Sequence, residues 1–261
     1  MILVRAVRQF GEARPVDAIP AAELRAWLLE LRGSLAPESI AGYVRGLKAF
    51  GNWCAAEKLA AAAGFRGLRR PKVPHRLIAP FSDPELRSLL ALADERERAL
   101  ALVLLDTGLR LSEVASLRVG DVRPDGTLHV MGKGAKERIV PIGASARRAL
   151  VRYLATRGSV AAGDPLFCGR WGPALSARGI QLAIARLGRR AAIGTRCSPH
   201  TFRHTFARGY LVNGGDVFSL QQILGHATLD MVRRYVSLSE ADLVARHRTA
   251  SPADRLVGAR G

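Results

Sequence analysis

Cysteine is scarce in this chain. Its three residues, Cys54, Cys168 and Cys197, are odd in number, scattered and free of metal-ligand spacing. That excludes a disulfide framework and a zinc site of ordinary type, and it fits a reducing cytosol. No apolar run approaches the roughly twenty residues of a membrane span. The opening Met1-Ile-Leu-Val-Arg-Ala-Val-Arg is too short and too soon charged for a signal peptide. A cytoplasmic protein with no membrane partner is expected. Internal repeats, low-complexity tracts, lysine blocks and a long basic tail are also missing. Acidic residues are the other shortage: 22 Asp+Glu face 40 Lys+Arg, leaving +18 and a pI of about 11.3. An excess of that size suits a phosphate backbone, which it grips through counterion release. A ribosomal-type or membrane-surface protein is the other use of such charge.

What is present is a foldable chain. Hydrophobic residues make up 48% and charged residues 24% of 261 positions, enough for two modest domains or one large one. Leu24, Trp27, Leu28 and Leu31 recur at helical steps, and Ile40, Tyr43, Val44, Leu47, Phe50 and Trp53 do so again. Ser34 to Glu38 separates the two helices, with Pro37 suited to a first turn. From Gly64 to Pro80 periodicity vanishes, and prolines at 71, 74 and 80 predict an extended basic linker. Up to residue 74 the chain carries 12 Lys+Arg against 6 Asp+Glu, and beyond it 28 against 16. Both parts are therefore basic, as a two-part clamp requires.

Past the linker, Ser82 and Glu85 form a capping-box pattern opening a helix through Leu92. Arg96 to Leu105 reads as a buried helix stopped at Thr107-Gly108, and Leu111 to Leu117 as a short one. Leu128–Val130 and Arg138–Ile142 alternate as strands around a Gly-rich turn, which predicts a small antiparallel hairpin. Helices are expected over 144–156, 176–192, 199–212, 216–224, 228–237 and 239–248. The fold class is mainly α with a small antiparallel β-sheet (α+β).

Several residues along this framework carry chemistry. Ser198-Pro199 gives an N-cap and first-turn proline, so His200 and Arg203 share one face near a helix N-terminus, where an anion is favoured. In Asp106-Thr-Gly-Leu-Arg110-Leu-Ser-Glu113, Gly108 ends one helix and Arg110 opens the next. Glu113 stands one turn on, able to orient the guanidinium; taken alone, this pair reads as a surface salt bridge of little worth. Lys133 occupies the tip of a Gly-flanked turn, where an exposed lysine is most often only solubilising. The spacing around it does not make a phosphate-binding loop of Walker type. His226 follows Gly225, Thr228 caps the next helix, and Tyr235 falls about two turns into it. A phenol with its pKa near 10 needs a base and positive charge nearby to act as a nucleophile, and the same chain supplies both.

Taken together these motifs resemble the tyrosine recombinase family, the phage-integrase and Xer-like site-specific recombinases. Thr-Gly-Leu-Arg-Leu-Ser-Glu-Val, Gly-Lys-Gly-Ala-Lys-Glu-Arg-Ile-Val-Pro, His-Thr-Phe-Arg-His-Thr-Phe-Ala and Leu-Gly-His-Ala-Thr carry the likeness. It implies a helical core-binding domain over 1–63, the basic linker over 64–78 and a tyrosine-recombinase catalytic domain over 79–261. Only about twenty residues precede Leu24, so the first core-binding helix is expected to be shortened or missing.

By the same resemblance, Arg110 and Arg203 clamp a DNA phosphate and Tyr235 attacks it. His200 accepts or relays the phenolic proton, Lys133 protonates the departing 5′-oxygen, and His226 hydrogen-bonds the phosphate. The implied product is a 3′-phosphotyrosine, formed without metal, ATP or other cofactor. Double-stranded DNA is the implied partner, bound by a homotetramer on paired sites, with an accessory recombinase or DNA-bending protein as a further partner. Two alternatives stay open: a type IB topoisomerase-like nickase, and a catalytically silent DNA-binding regulator of the same fold. Target sequence and the choice among integration, transposition, excision and chromosome-dimer resolution are not legible here.

Overall fold

Ile2, Ala6 and Phe10 lie four residues apart and turn inward from one helix, α1 (Ile2–Phe10). A helix is thus present ahead of Leu24, nine residues long, where a shortened or missing one was expected. In this computed structural model all residues are described except 1, 72–78, 133, 135, 170–171, 226–243, 245–246, 249 and 258–261. The chain divides into two units, Met1–Leu77 and Ile78–Gly261.

In the first unit α2 (Ala21–Leu31) and α3 (Pro37–Ala56) follow the apolar periodicity, with Pro37 in the opening turn of α3. Leu24, Trp27 and Leu28 from α2 meet Ile40, Val44 and Leu47 from α3, all buried. Trp27 sits edge-on between Phe10 and Tyr43, with ring centroids 5.5 and 5.9 Å away. The stretch expected to be linker from residue 64 starts instead with a short helix, α4 (Ala63–Arg66). The reason is apolar anchorage: Phe65 and Leu68 are 3% and 1% exposed, and leaving them in water would cost about 1.5–3 kcal/mol apiece.

The second unit opens with α5 (Asp83–Leu92), where Ser82 N–H donates to Glu85 Oε2 at 2.9 Å in the expected capping box. Its core is built on α6 (Glu95–Thr107), whose Leu100, Val103 and Leu104 are fully buried. α7 (Leu111–Ser116) follows, and then β1 (Thr127–Met131) pairs antiparallel with β2 (Glu137–Pro141), in the register Thr127↔Pro141 to Met131↔Glu137. Leu128, Val130 and Val140 face inward from this hairpin. α8 (Ala144–Ala155) packs on α6, and α9 (Ala177–Arg190) closes the core. Arg190 reaches from α9 to the buried Glu97 of α6 with two hydrogen bonds, at 3.0 and 2.6 Å.

α10 (Pro199–Val212) and α11 (Val217–Leu224) complete the scaffold under the site. A further helix, α12 (Pro252–Val257), falls where no element was expected. The helix expected at 228–237, and most of that at 239–248, lie outside the described residues. No described helix is long and apolar enough to cross a membrane.

Candidate active site

The site grows from two helix ends that stop for the same reason. Gly108 closes α6 and Gly225 closes α11, both in the left-handed region at φ +58° and +61°. Helix C-termini leave carbonyls without intrahelical partners and carry negative partial charge, so cations are drawn to them. Here three consecutive carbonyls at the end of α11 are each taken by a different arginine. Arg138 Nε donates to Ile223 O at 3.0 Å, Arg203 Nη2 to Leu224 O at 2.9 Å, and Arg110 Nη2 to Gly225 O at 3.1 Å. Arg203 also donates to the carbonyl of Gly108, tying together both helix ends.

Arg203 comes from the interior of α10 and is 5% exposed. Ser198 caps that helix, accepting from Thr201 N–H at 3.2 Å. His200 lies one turn before Arg203, its ring edge-on to His204 at 4.8 Å. Much of the His200 surface is open, yet partial burial, and then the charges of Arg203 and Arg196, hold its pKa below the ordinary imidazole value.

Arg110 precedes α7, and its backbone N–H and Nη1 both donate to Glu113, at 2.8 and 3.0 Å. This is not the surface salt bridge that local sequence suggests. The Glu113 side chain is 4% exposed and also takes a two-armed hydrogen bond from Arg138, at 2.9 Å on each oxygen. Burial alone would raise the Glu113 pKa. The bonds from Arg138 and from Arg110 outweigh it and bring the value below the usual carboxylate range.

The structure therefore brings Arg110 and Arg203 together at the end of α11, with His200 one turn before Arg203 and close enough to feel its charge. Lys133, His226 and Tyr235 lie outside the described residues. Arg110 and Arg138 share the Glu113 carboxylate, and Arg203 is held on the carbonyls of Gly108 and Leu224, so the guanidiniums outnumber the carboxylate they share. Arg138 is the member that sequence reasoning passed over. Its signal was available: it shares the inward face of β2 with Val140, two residues on, where an arginine needs a buried partner. Among the described residues no group of three or more His, Cys, Asp or Glu side chains is arranged to hold a metal ion.

Comparison with known proteins bears on the same segments. The phage integrase family model matches residues 81–242. A tyrosine recombinase XerC of Xylella fastidiosa (strain 9a5c) is 33% identical over 247 residues, covering 92% of this chain and 84% of that one. Another XerC, from Myxococcus xanthus, is 32% identical over 248 residues, covering 88% and 82%. Among solved structures, the XerA recombinase matches at 27% identity and a TM-score of 0.60, covering 96% of this chain and 89% of its own. XerH bound to a palindromic difH substrate matches in fold at 21% identity and a TM-score of 0.71, covering 97% and 78%. The chain belongs to the phage integrase family, as a tyrosine-type site-specific recombinase.

Proposed function

We propose that this chain cuts and rejoins double-stranded DNA through a 3′-phosphotyrosyl intermediate on Tyr235, without metal or ATP. The observation that carries the reading is the guanidinium cluster on carbonyls 223–225. It holds Arg110 and Arg203 beside the start of the segment that bears His226 and Tyr235. Attack by the phenolic oxygen forms a P–O bond and breaks the bond to the 5′-oxygen, passing through a pentacovalent state with added negative charge. Fixed cations aimed at that charge stabilise it without reorganisation. His200, kept neutral by its surroundings, takes or relays the phenolic proton. Lys133 returns a proton to the departing 5′-oxygen, and His226 hydrogen-bonds the phosphate. Rejoining reverses the same steps with a 5′-hydroxyl from another strand, so the bond energy is conserved. In this reading four protomers on paired sites perform the exchange.

The test is covalent capture on a suicide duplex, selected with wild-type protein from a pool of random sequence. Wild type is expected to leave a protein–DNA adduct, and Tyr235→Phe to bind the same DNA without one. Arg110→Ala and Arg203→Ala are each expected to slow capture by about 10²–10³-fold or more, the scale for losing one fixed donor to an oxyanion, while binding changes only modestly. Near-normal capture by either variant would remove it from the phosphate clamp. Relaxation of supercoils by a monomer, with no dependence on paired sites, would favour a topoisomerase-like nickase instead.

A further inference from the structure

Resting on the reading of Arg110 as a phosphate clamp, we infer that Arg138 is a positioning residue that keeps the Arg110 charge available to the scissile phosphate. Glu113 carries one negative charge and is nearly buried. Were Arg110 its sole cationic partner, the pair would be close to neutral and Arg110 would contribute little potential at the phosphate. Arg138 changes that sum. It occupies both Glu113 oxygens, leaving Arg110 one shared contact on Oε1 besides its backbone N–H on Oε2. Two guanidiniums then share one carboxylate, and a net positive charge remains at the exposed end, where Arg110 keeps 38% of its side-chain surface. Arg138 itself has Nη1 and Nη2 on Glu113 and Nε on Ile223 O, so its guanidinium is committed to the protein rather than turned to the phosphate.

A second contact gives the residue reach along the chain. Arg138 Nε donates to Ile223 O, and a Cβ placed on Gly225 would lie 3.1 Å from Arg138 Cζ. The guanidinium therefore packs against the glycine that precedes His226. β2 follows the turn that bears Lys133, so one side chain ties the hairpin, the Arg110 turn and the end of α11 to a common centre.

An electrostatic role and a merely structural one separate on a substrate without the phosphate charge. Capture rates are measured on the selected suicide duplex, with the scissile group either an ordinary phosphodiester or a neutral methylphosphonate. Arg138→Met is expected to slow capture about 30- to 100-fold on the diester, with that loss shrinking at least fivefold on the methylphosphonate, as for Arg110→Ala. Equal losses on both substrates, or no loss on the diester, would overturn the inference. Arg138→Lys, which keeps the charge but not the fork, guards against misfolding of the Met variant. It is expected to lose less on the diester and almost nothing on the methylphosphonate, and an equal loss on both again counts against the role. Absence of any adduct from wild type would instead sink the phosphotyrosyl reading beneath it, and normal capture by Arg110→Ala would sink the clamp.

Discussion

His200 shows how a site sets the protonation of a single side chain. Partial burial first, and then the neighbouring charges of Arg203 and Arg196, disfavour its imidazolium. The sign follows directly. A lowered pKa keeps the ring neutral, and able to accept a proton, at pH values where a free imidazole with pKa near 6.5 is already charged. The acid limb of the capture rate against pH is therefore expected below about 6.5. In folding the linkage runs the same way. The unfolded chain binds this proton more tightly, so stability from His200 is complete above the unfolded pKa and is lost as pH falls through the folded one. Arg196 is exposed and can be removed without touching the core. Arg196→Ala is expected to move the acid limb upward in single-turnover capture, toward the ordinary imidazole value. A limb that stays put or moves down would show that Arg196 does not govern this proton.

At the scale of elements, the turn from α6 into α7 is what puts Arg110 in place, and Gly108 is its pivot. A Cβ there would lie 2.3 Å from Phe206 Cδ1 and 2.8 Å from Leu224 Cδ2, on a backbone at φ +58°. Strain in the left-handed region and overpacking against α10 and α11 act together, so Gly108→Ala is expected to destabilise the protein by about 2–4 kcal/mol. Urea unfolding measures this, and a loss under about 0.5 kcal/mol would be incompatible with so close an approach. This turn was legible from sequence because a local rule, the helix-ending glycine, decides it, just as a capping box decides the start of α5 at Ser82 and a proline the start of α10 after Ser198. Hidden from that reading were features decided by distant partners. α4 exists because Phe65 and Leu68 find the core of α2 and α3, and nothing in Gly64 to Leu68 announces it. Glu113 looked like a surface acid because its second partner, Arg138, is 25 residues away on a strand. α1 shows the reverse case, since its four-residue apolar spacing was on view but its nine residues are few for a helix judged alone.

For the whole molecule the open quantity is how much of the DNA grip belongs to the site and how much to the surface. Three cations assigned to the chemistry, Arg110, Lys133 and Arg203, can neutralise at most three phosphates. On B-DNA each neutralised phosphate contributes about −0.9 to the slope of log K against log salt, so the site alone gives a slope near −3. The charge is not confined there. The net is +6 up to residue 74, from 12 Lys+Arg against 6 Asp+Glu, and +12 beyond it, from 28 against 16. If both basic parts track the backbone, six or more phosphates are engaged, and affinity for a random duplex falls at least about 10³-fold between 50 and 200 mM salt. Fluorescence anisotropy over that range decides the matter: a slope of −5 or steeper is expected, barely altered by Arg110→Ala. A slope no steeper than about −3 would mean that the surplus charge plays no part in holding DNA. The first 74 residues would then need a purpose other than the electrostatic half of a clamp.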